Sequence, residues 1–259
     1  MDSILDCGIG GADKDSDRNL MMVLILCYNS ADRDDEEYIL PAMKFNAVIF
    51  DMDGLMFDTE RIAQEAWARA AAEFGYEYPD HVYQGVIGRA RPDVERYSMQ
   101  AFGADFPFKA VYRAKARYML ESLEQNGVPL KAGLLDLLDW LEAHSLPAAV
   151  ASSSPRAAVL RNLELAGLAA ERFGALVGGD EVQRGKPAPD IFLEVVRRLG
   201  MPPEDCLVLE DSNAGIKAAH TAGLLAVMIP DIKPPTDETR ALAYRVVESL
   251  EHIPALLEG

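Results

Sequence analysis

At 259 residues, 49% of them hydrophobic, the chain is long enough for one large domain or two smaller ones with substantial buried cores. Its formal net charge of −17 opposes sequence-independent binding to nucleic acid or to an anionic membrane surface, because both need basic patches. Cys7, Cys27 and Cys206 are scattered, odd in number and without CxxC spacing, so neither a disulfide framework nor a zinc site is indicated and a cytoplasmic location is expected.

Residues 1–43 hold ten acidic and three basic side chains and end in the charge run DRDDEE at 32–37. The apolar run LMMVLILCY at 20–28 is far shorter than the roughly 20 residues of a membrane span. Asp2, Asp6, Asp13, Asp15 and Asp17 stand where the positive region of a signal peptide belongs. The segment is therefore expected to be an acidic, flexible extension. Met43 directly precedes KFNAVIFD, and an upstream start codon chosen wrongly would produce the same appearance.

The stretch FNAVIFDMDGLMFDTE at 45–60 starts as an apolar strand and ends in two aspartates. Side chains alternate faces along a strand, so Asp51 and Asp53 point the same way if the extended backbone continues past Phe50. Two neighbouring anions repel, and a strand tip tolerates them only with a cation, a shared proton or open solvent. Residues 61–127 have a different texture: IAQEAWARAAAEFG and FKAVYRAKARYMLESLEQNG carry helical patterns, with no convincing strand. A helical domain inserted after the first strand is expected over 61–127, with the core formed by 44–60 and 128–259. In it Trp67, Tyr112 and Tyr118 fall at spacings that suit packing.

From residue 130 strands and helices alternate. AGLLDLLDWLEAH predicts a helix, PAAVASSS a strand, and PRAAVLRNLELAGL a helix with Ser154 as its N-cap, which leaves Ser152 free. GALVGG, CLVLE and LLAVMI predict strands, the last closing the sheet; PDIFLEVVRRLG and NAGIKAAHTAG predict the helices between them. Continuous apolar strands separated by helices imply an α/β fold whose parallel sheet is covered on both faces.

In open parallel sheets ligands bind beyond the carboxyl ends of the strands. There Asp51 and Asp53 follow the first strand, Ser152 the second and Glu210 and Asp211 the fourth. Lys186 lies in the loop after the third, held out of helix by Pro187. Singly, each residue has an ordinary structural explanation as a strand-end acid, a helix cap or a solvated loop lysine. Four carboxylates on one edge would be electrostatically costly without a cation, and a hard divalent ion, magnesium foremost, is the direct remedy.

DMDGLMFDTE, VASSS, GKPAPDIF and LEDSNAGIKAA together resemble the four ordered motifs of the haloacid dehalogenase superfamily. The likeness runs from about residue 44 to 230 and is strongest to the branch with a helical cap after the first motif, the β-phosphoglucomutase and phosphoglycolate phosphatase branch. It implies a three-layer Rossmann-like core with an inserted cap, and a magnesium-dependent phosphatase acting on a small phosphorylated metabolite. By the same resemblance Asp51 is the nucleophile that takes the phosphoryl group and also a metal ligand, and Asp53 is the general acid and base whose backbone carbonyl binds magnesium. Asp211 is a direct metal ligand and Glu210 a supporting acid beside it. Ser152 hydrogen-bonds the phosphoryl oxygens, and Lys186 neutralises charge on Asp51 and the phosphate. Arg91, in the stretch IGRARPD that reads as a turn around Gly88 and Pro92, best matches the cap arginine that reaches substrate; a solvated surface arginine is the alternative.

His81, His144, His220 and His252 fall outside the motifs, so serine-histidine-aspartate hydrolysis has no support. A sugar phosphomutase using the same aspartyl-phosphate, and a non-catalytic phosphometabolite-binding protein, stay as alternatives. An acid at position 53 counts against mere binding. Sugar-mutase relatives carry a histidine five residues after the aspartate that matches Asp58, where this chain has Ala63, which counts against the mutase. A monomer with neither nucleic-acid nor membrane partners is expected.

Overall fold

The computed structural model describes residues 44–89 and 91–258. The acidic segment 1–43, with Cys7 and Cys27, lies outside the described residues. A parallel sheet in the order β3-β2-β1-β4-β5-β6 is built from β1 (Ala47–Phe50), β2 (Ala148–Ser152), β3 (Phe173–Gly178), β4 (Cys206–Glu210), β5 (Leu225–Met228) and β6 (Arg245–Val246). The run expected to close the sheet is thus followed by a sixth strand. It is only two residues long and starts with a polar arginine, so it carries no strand pattern.

Ile49 of β1 stands beside Ala149 of β2 and Val208 of β4. Those three residues share one apolar cluster with Ile191, Phe192 and Val195 of α7 (Asp190–Leu199) and with Ile216 and Ala219 of α8 (Asn213–Thr221). The alternate residues Val48, Phe50, Val150, Leu207 and Leu209 are equally inaccessible, so both faces of the sheet are covered. Hence the strands read as unbroken apolar runs. α5 (Leu134–Ala143) buries Leu134, Leu137, Leu138 and Leu141, and α6 (Arg156–Leu165) buries Val159 and Leu163. Cys206 begins β4 within this core, where burial pushes its thiol up to about 11, well away from reactivity.

Between β1 and α5 the described residues make four helices: α1 (Glu60–Glu73), α2 (Asp80–Val86), α3 (Arg91–Phe102) and α4 (Phe108–Asn126). Their apolar faces meet in a separate aromatic-rich cluster. Trp67 of α1 stacks on Tyr78 at 4.9 Å and meets Tyr112 of α4 edge-on at 5.9 Å. Arg91 and Pro92, expected within a turn, instead form the first turn of α3, a position proline suits. The ascending and returning linkers run side by side: Phe57 bridges to Leu130, Asp58 N–H donates to Pro129 O at 2.9 Å, and Lys131 N–H to Met56 O at 2.9 Å. A further contact crosses from the loop after β5, where Lys233 Nζ donates to Ile87 O at 3.0 Å and Ile232 packs on the helical cluster.

Candidate active site

Strands β2 and β4 flank β1, and the chain winds away from β1 in both directions. A crevice therefore opens beyond its carboxyl end. Asp51 sits there almost buried, and Asp53 is two residues on in a tight loop. Gly54 closes the loop at φ +94°. A Cβ there would lie 2.4 Å from Asp211 Oδ2, so only glycine lets the β1 loop approach the β4 loop so closely. The Asp53 carboxylate accepts from Ser154 Oγ at 2.8 Å, Thr59 Oγ1 at 2.9 Å and Ser152 Oγ at 3.4 Å.

Lys186 is the positive centre of this edge. Its ammonium donates to Asp51 Oδ1, to Glu210 Oε1 at 2.5 Å and to Ala151 O at 3.1 Å, with only 6% of the residue accessible. Burial alone would strip its charge, yet the fields of Asp51 and Glu210 hold the ammonium well above the usual lysine range. Glu210 is fully enclosed, and its other oxygen accepts from Ser212 N at 2.7 Å and Ser212 Oγ at 2.9 Å. Ser212 in turn caps α8 by accepting from Gly215 N at 3.0 Å. A Cβ on Gly215 would fall 1.8 Å from Glu210 Oε1, so the helix packs directly on that carboxylate.

One lysine does not balance these acids. Burial, opposed by Lys186 and reinforced by Glu210, raises the Asp51 carboxyl to about 8. Asp211 is also driven well above the ordinary carboxylate range, by burial first and then by Glu210 and Asp51. Among the described residues no hydrogen-bond donor or cation is paired with the Asp211 carboxylate. Asp51, Glu210 and Asp211 each offer an oxygen, all within 4.8 Å of one another. An under-neutralised, all-oxygen donor set of this kind fits a hard metal ion. Glu210 already has both oxygens engaged, so Asp51 and Asp211 are the better-placed direct ligands.

The crevice continues under the helices as a cleft of about 290 Å³. Arg91 reaches it from α3, exposed and stacked 4.7 Å from the Tyr112 ring. Lys115 of α4 lines it too, with Met119 Sδ at 3.2 Å as its hydrogen-bond partner, and burial lowers its ammonium from the ordinary lysine range. Glu60 and Tyr83 border the same space. The sequence reading passed over these last three residues. Lys115 had a findable signal: it lies four residues beyond Val111, beside the buried stripe of an amphipathic helix.

All the site residues proposed from sequence except Arg91 gather on the core edge, and Arg91 faces them across the cleft. Ser154 does not cap α6. Pro155 holds that position, and the Ser154 hydroxyl is spent on Asp53. Nor is Ser152 free, since its Oγ accepts from Ser154 N at 3.0 Å and the residue is 1% exposed. Ser153 and Ser154 form the cleft wall beside it. Residues 48–229 match the family model described as haloacid dehalogenase-like hydrolase.

The chain belongs to the haloacid dehalogenase-like hydrolases. Within this family it is 32% identical over 217 residues to the phosphorylated carbohydrates phosphatase of Thermotoga maritima, covering 82% of this chain and 90% of that protein. It is 32% identical to the fructose-1-phosphate phosphatase YqaB of Escherichia coli over 184 residues, 71% of this chain and 96% of that protein. The crystal structure of CbbY from Rhodobacter sphaeroides in complex with phosphate matches at a TM-score of 0.70 and 26% identity, over 83% of this chain and 100% of that one. The inserted helices are accordingly a cap on a Rossmann-like core.

Proposed function

We propose that this chain is a magnesium-dependent phosphatase that hydrolyses a small phosphorylated metabolite, a sugar phosphate or similar phosphomonoester, through an aspartyl-phosphate at Asp51. The observation that carries this is the arrangement of the Asp51 carboxylate: a buried ammonium sits on one of its oxygens, and a second acid, Asp53, stands two residues away on the same crevice. In this reading residues 61–127 cap a core made of 44–60 and 128–259, and the substrate lies between them.

In the first half-reaction an Asp51 oxygen attacks phosphorus and the ester P–O bond breaks, with Asp53 giving its proton to the departing alkoxide oxygen. Asp53, now a carboxylate, takes a proton from a water whose oxygen attacks the same phosphorus. The bond between phosphorus and Asp51 breaks and inorganic phosphate leaves. Lys186 holds Asp51 in place and offsets charge on the phosphoryl group, while Ser152 and its neighbours Ser153 and Ser154 bind phosphoryl oxygens. Asp51, Asp211 and the Asp53 carbonyl, with Glu210 behind, would hold magnesium, which would supply positive charge to offset the carboxylates and the phosphoryl group. The relatives named as carbohydrate and fructose-1-phosphate phosphatases support the substrate class.

Water is the favoured acceptor over a second sugar hydroxyl because Ala63, at the cleft wall, has no side-chain group to hold one. Phosphate release from a panel of phosphorylated metabolites with magnesium tests the reading. Inorganic phosphate should accumulate without a bisphosphate activator. Isomerisation of sugar phosphates with little free phosphate would make the protein a mutase instead.

A further inference from the structure

The cap wall of the cleft holds an acid that the chemistry above does not use. Glu60 opens α1, directly after Thr59, whose hydroxyl binds Asp53. It is half-buried, borders the cleft and makes no ion pair among the described residues. Its conformation is nevertheless fixed. Tyr83 of α2, 2% exposed, donates its phenol hydroxyl to the Glu60 backbone carbonyl at 2.7 Å and to Glu60 Oε2. That leaves Oε1 without a donor among the described residues. Lys115 feels the fields of Glu60 and Asp53, yet among the described residues it bonds only a methionine sulfur rather than closing on Glu60.

A carboxylate and an ammonium facing one cleft without pairing present an acceptor-only group beside a donor-only group. Hydroxyls, which both donate and accept, satisfy such a pair; a substrate carboxylate donates nothing and meets repulsion at Glu60. We infer that Glu60 is a specificity-determining residue that accepts a hydrogen bond from a hydroxyl on the organic half of the substrate, with Tyr83 as the positioning residue that aims it. The inference rests on the phosphatase reading and deepens it, because it selects polyhydroxylated phosphomonoesters over carboxylated ones such as phosphoglycolate.

The test compares substrates with and without hydroxyls in the purified full chain with magnesium. The hydroxyl-bearing probe is whichever of glucose 6-phosphate, fructose 1-phosphate and ribose 5-phosphate turns over best; the control is p-nitrophenyl phosphate. Glu60→Gln should lower kcat/KM for the sugar phosphate about 10- to 100-fold, the loss typical of a hydrogen bond to a charged group, mostly through KM. Activity on p-nitrophenyl phosphate, which offers Glu60 no hydroxyl, should fall far less than activity on the sugar phosphate, and an unchanged thermal melt shows that the variant is folded. Tyr83→Phe should reproduce the same selective loss at smaller size, whereas a merely structural tyrosine would depress both substrates together. An equal effect of Glu60→Gln on both substrates, or none on either, overturns the assignment. So does a wild type that cleaves p-nitrophenyl phosphate and phosphoglycolate but no sugar phosphate, an outcome that leaves the phosphatase reading standing. A wild type that cleaves no phosphomonoester removes that reading and the inference with it.

Discussion

On the core wall of the cleft, Asp211 apart, the charged groups are held by protein partners among the described residues. Lys186 is divided between Asp51 and Glu210, Glu210 between Lys186 and Ser212, and Asp53 among three hydroxyls. On the cap wall Arg91 lies on an aromatic ring, Lys115 on a sulfur, and Glu60 keeps one oxygen open among the described residues. The core wall is preorganised, with little freedom left to adapt to a ligand. The cap wall is pre-positioned but electrostatically unspent, as expected of a surface whose partner arrives in solution. On the proposed reading, chemistry and choice of substrate fall to different parts of the chain, one on strand ends and the other on helices.

The strongest way to break this division is at Asp51. Asp51→Asn keeps shape but removes the nucleophile, and turnover should fall about 10⁴-fold or more, measured as phosphate release at saturating substrate. A variant with near-normal turnover would remove the chemistry from the core wall. Chelation is next: exhaustive EDTA treatment should abolish activity and magnesium should restore it, whereas calcium, larger and less strict in geometry, should substitute poorly. Activity that survives chelation would mean that the unbalanced acids Asp51 and Asp211 are neutralised in another way.

Lys186→Met keeps the length of the side chain and leaves Asp51 and Glu210 buried without their cation. Urea denaturation should show a loss of about 3–5 kcal/mol together with loss of turnover. Cap-wall changes should behave oppositely. Arg91→Ala and Lys115→Met should raise KM about tenfold while stability stays within about 1 kcal/mol, because among the described residues neither side chain is held by an ion pair. A stability loss at Lys115 as large as that at Lys186 would erase the distinction between the walls. The smallest effect is expected at Ser212, where Ser212→Ala removes both the α8 cap and a donor to Glu210. It should cost about 1 kcal/mol in a denaturant midpoint, with little change in KM.

The core wall was legible in the sequence because each candidate residue there follows a strand. An apolar run that ends in Asp51, in Glu210-Asp211 or in a serine cluster marks one edge of the sheet by its pattern alone. The cap wall was far less legible. Lys115 lies within FKAVYRAKARYML among Lys109, Arg113 and Arg117, and only its place on the helix surface separates it from solvated neighbours. Glu60 was visible in DTE, but an acid at a helix start has an ordinary dipole explanation, and its tie to Tyr83, 23 residues away, depends on how α1 and α2 pack. The exchange of roles between Ser152 and Ser154 was hidden for a similar reason: three adjacent serines before a proline offer equivalent caps, and the choice is made by Asp53, a hundred residues upstream.

Gly215 shows how tightly shape and charge are bound together at the base of the site. Its missing side chain is the room in which the Glu210 carboxylate lies, so the seating depth of α8 and the position of a fixed negative charge form a single tolerance. Even a methyl group would force one to move. Through Glu210 the displacement would pass to Lys186 and from there to Asp51. The residue with the least chemistry in its motif therefore acts as the gauge block against which the Asp51 carboxylate is aligned.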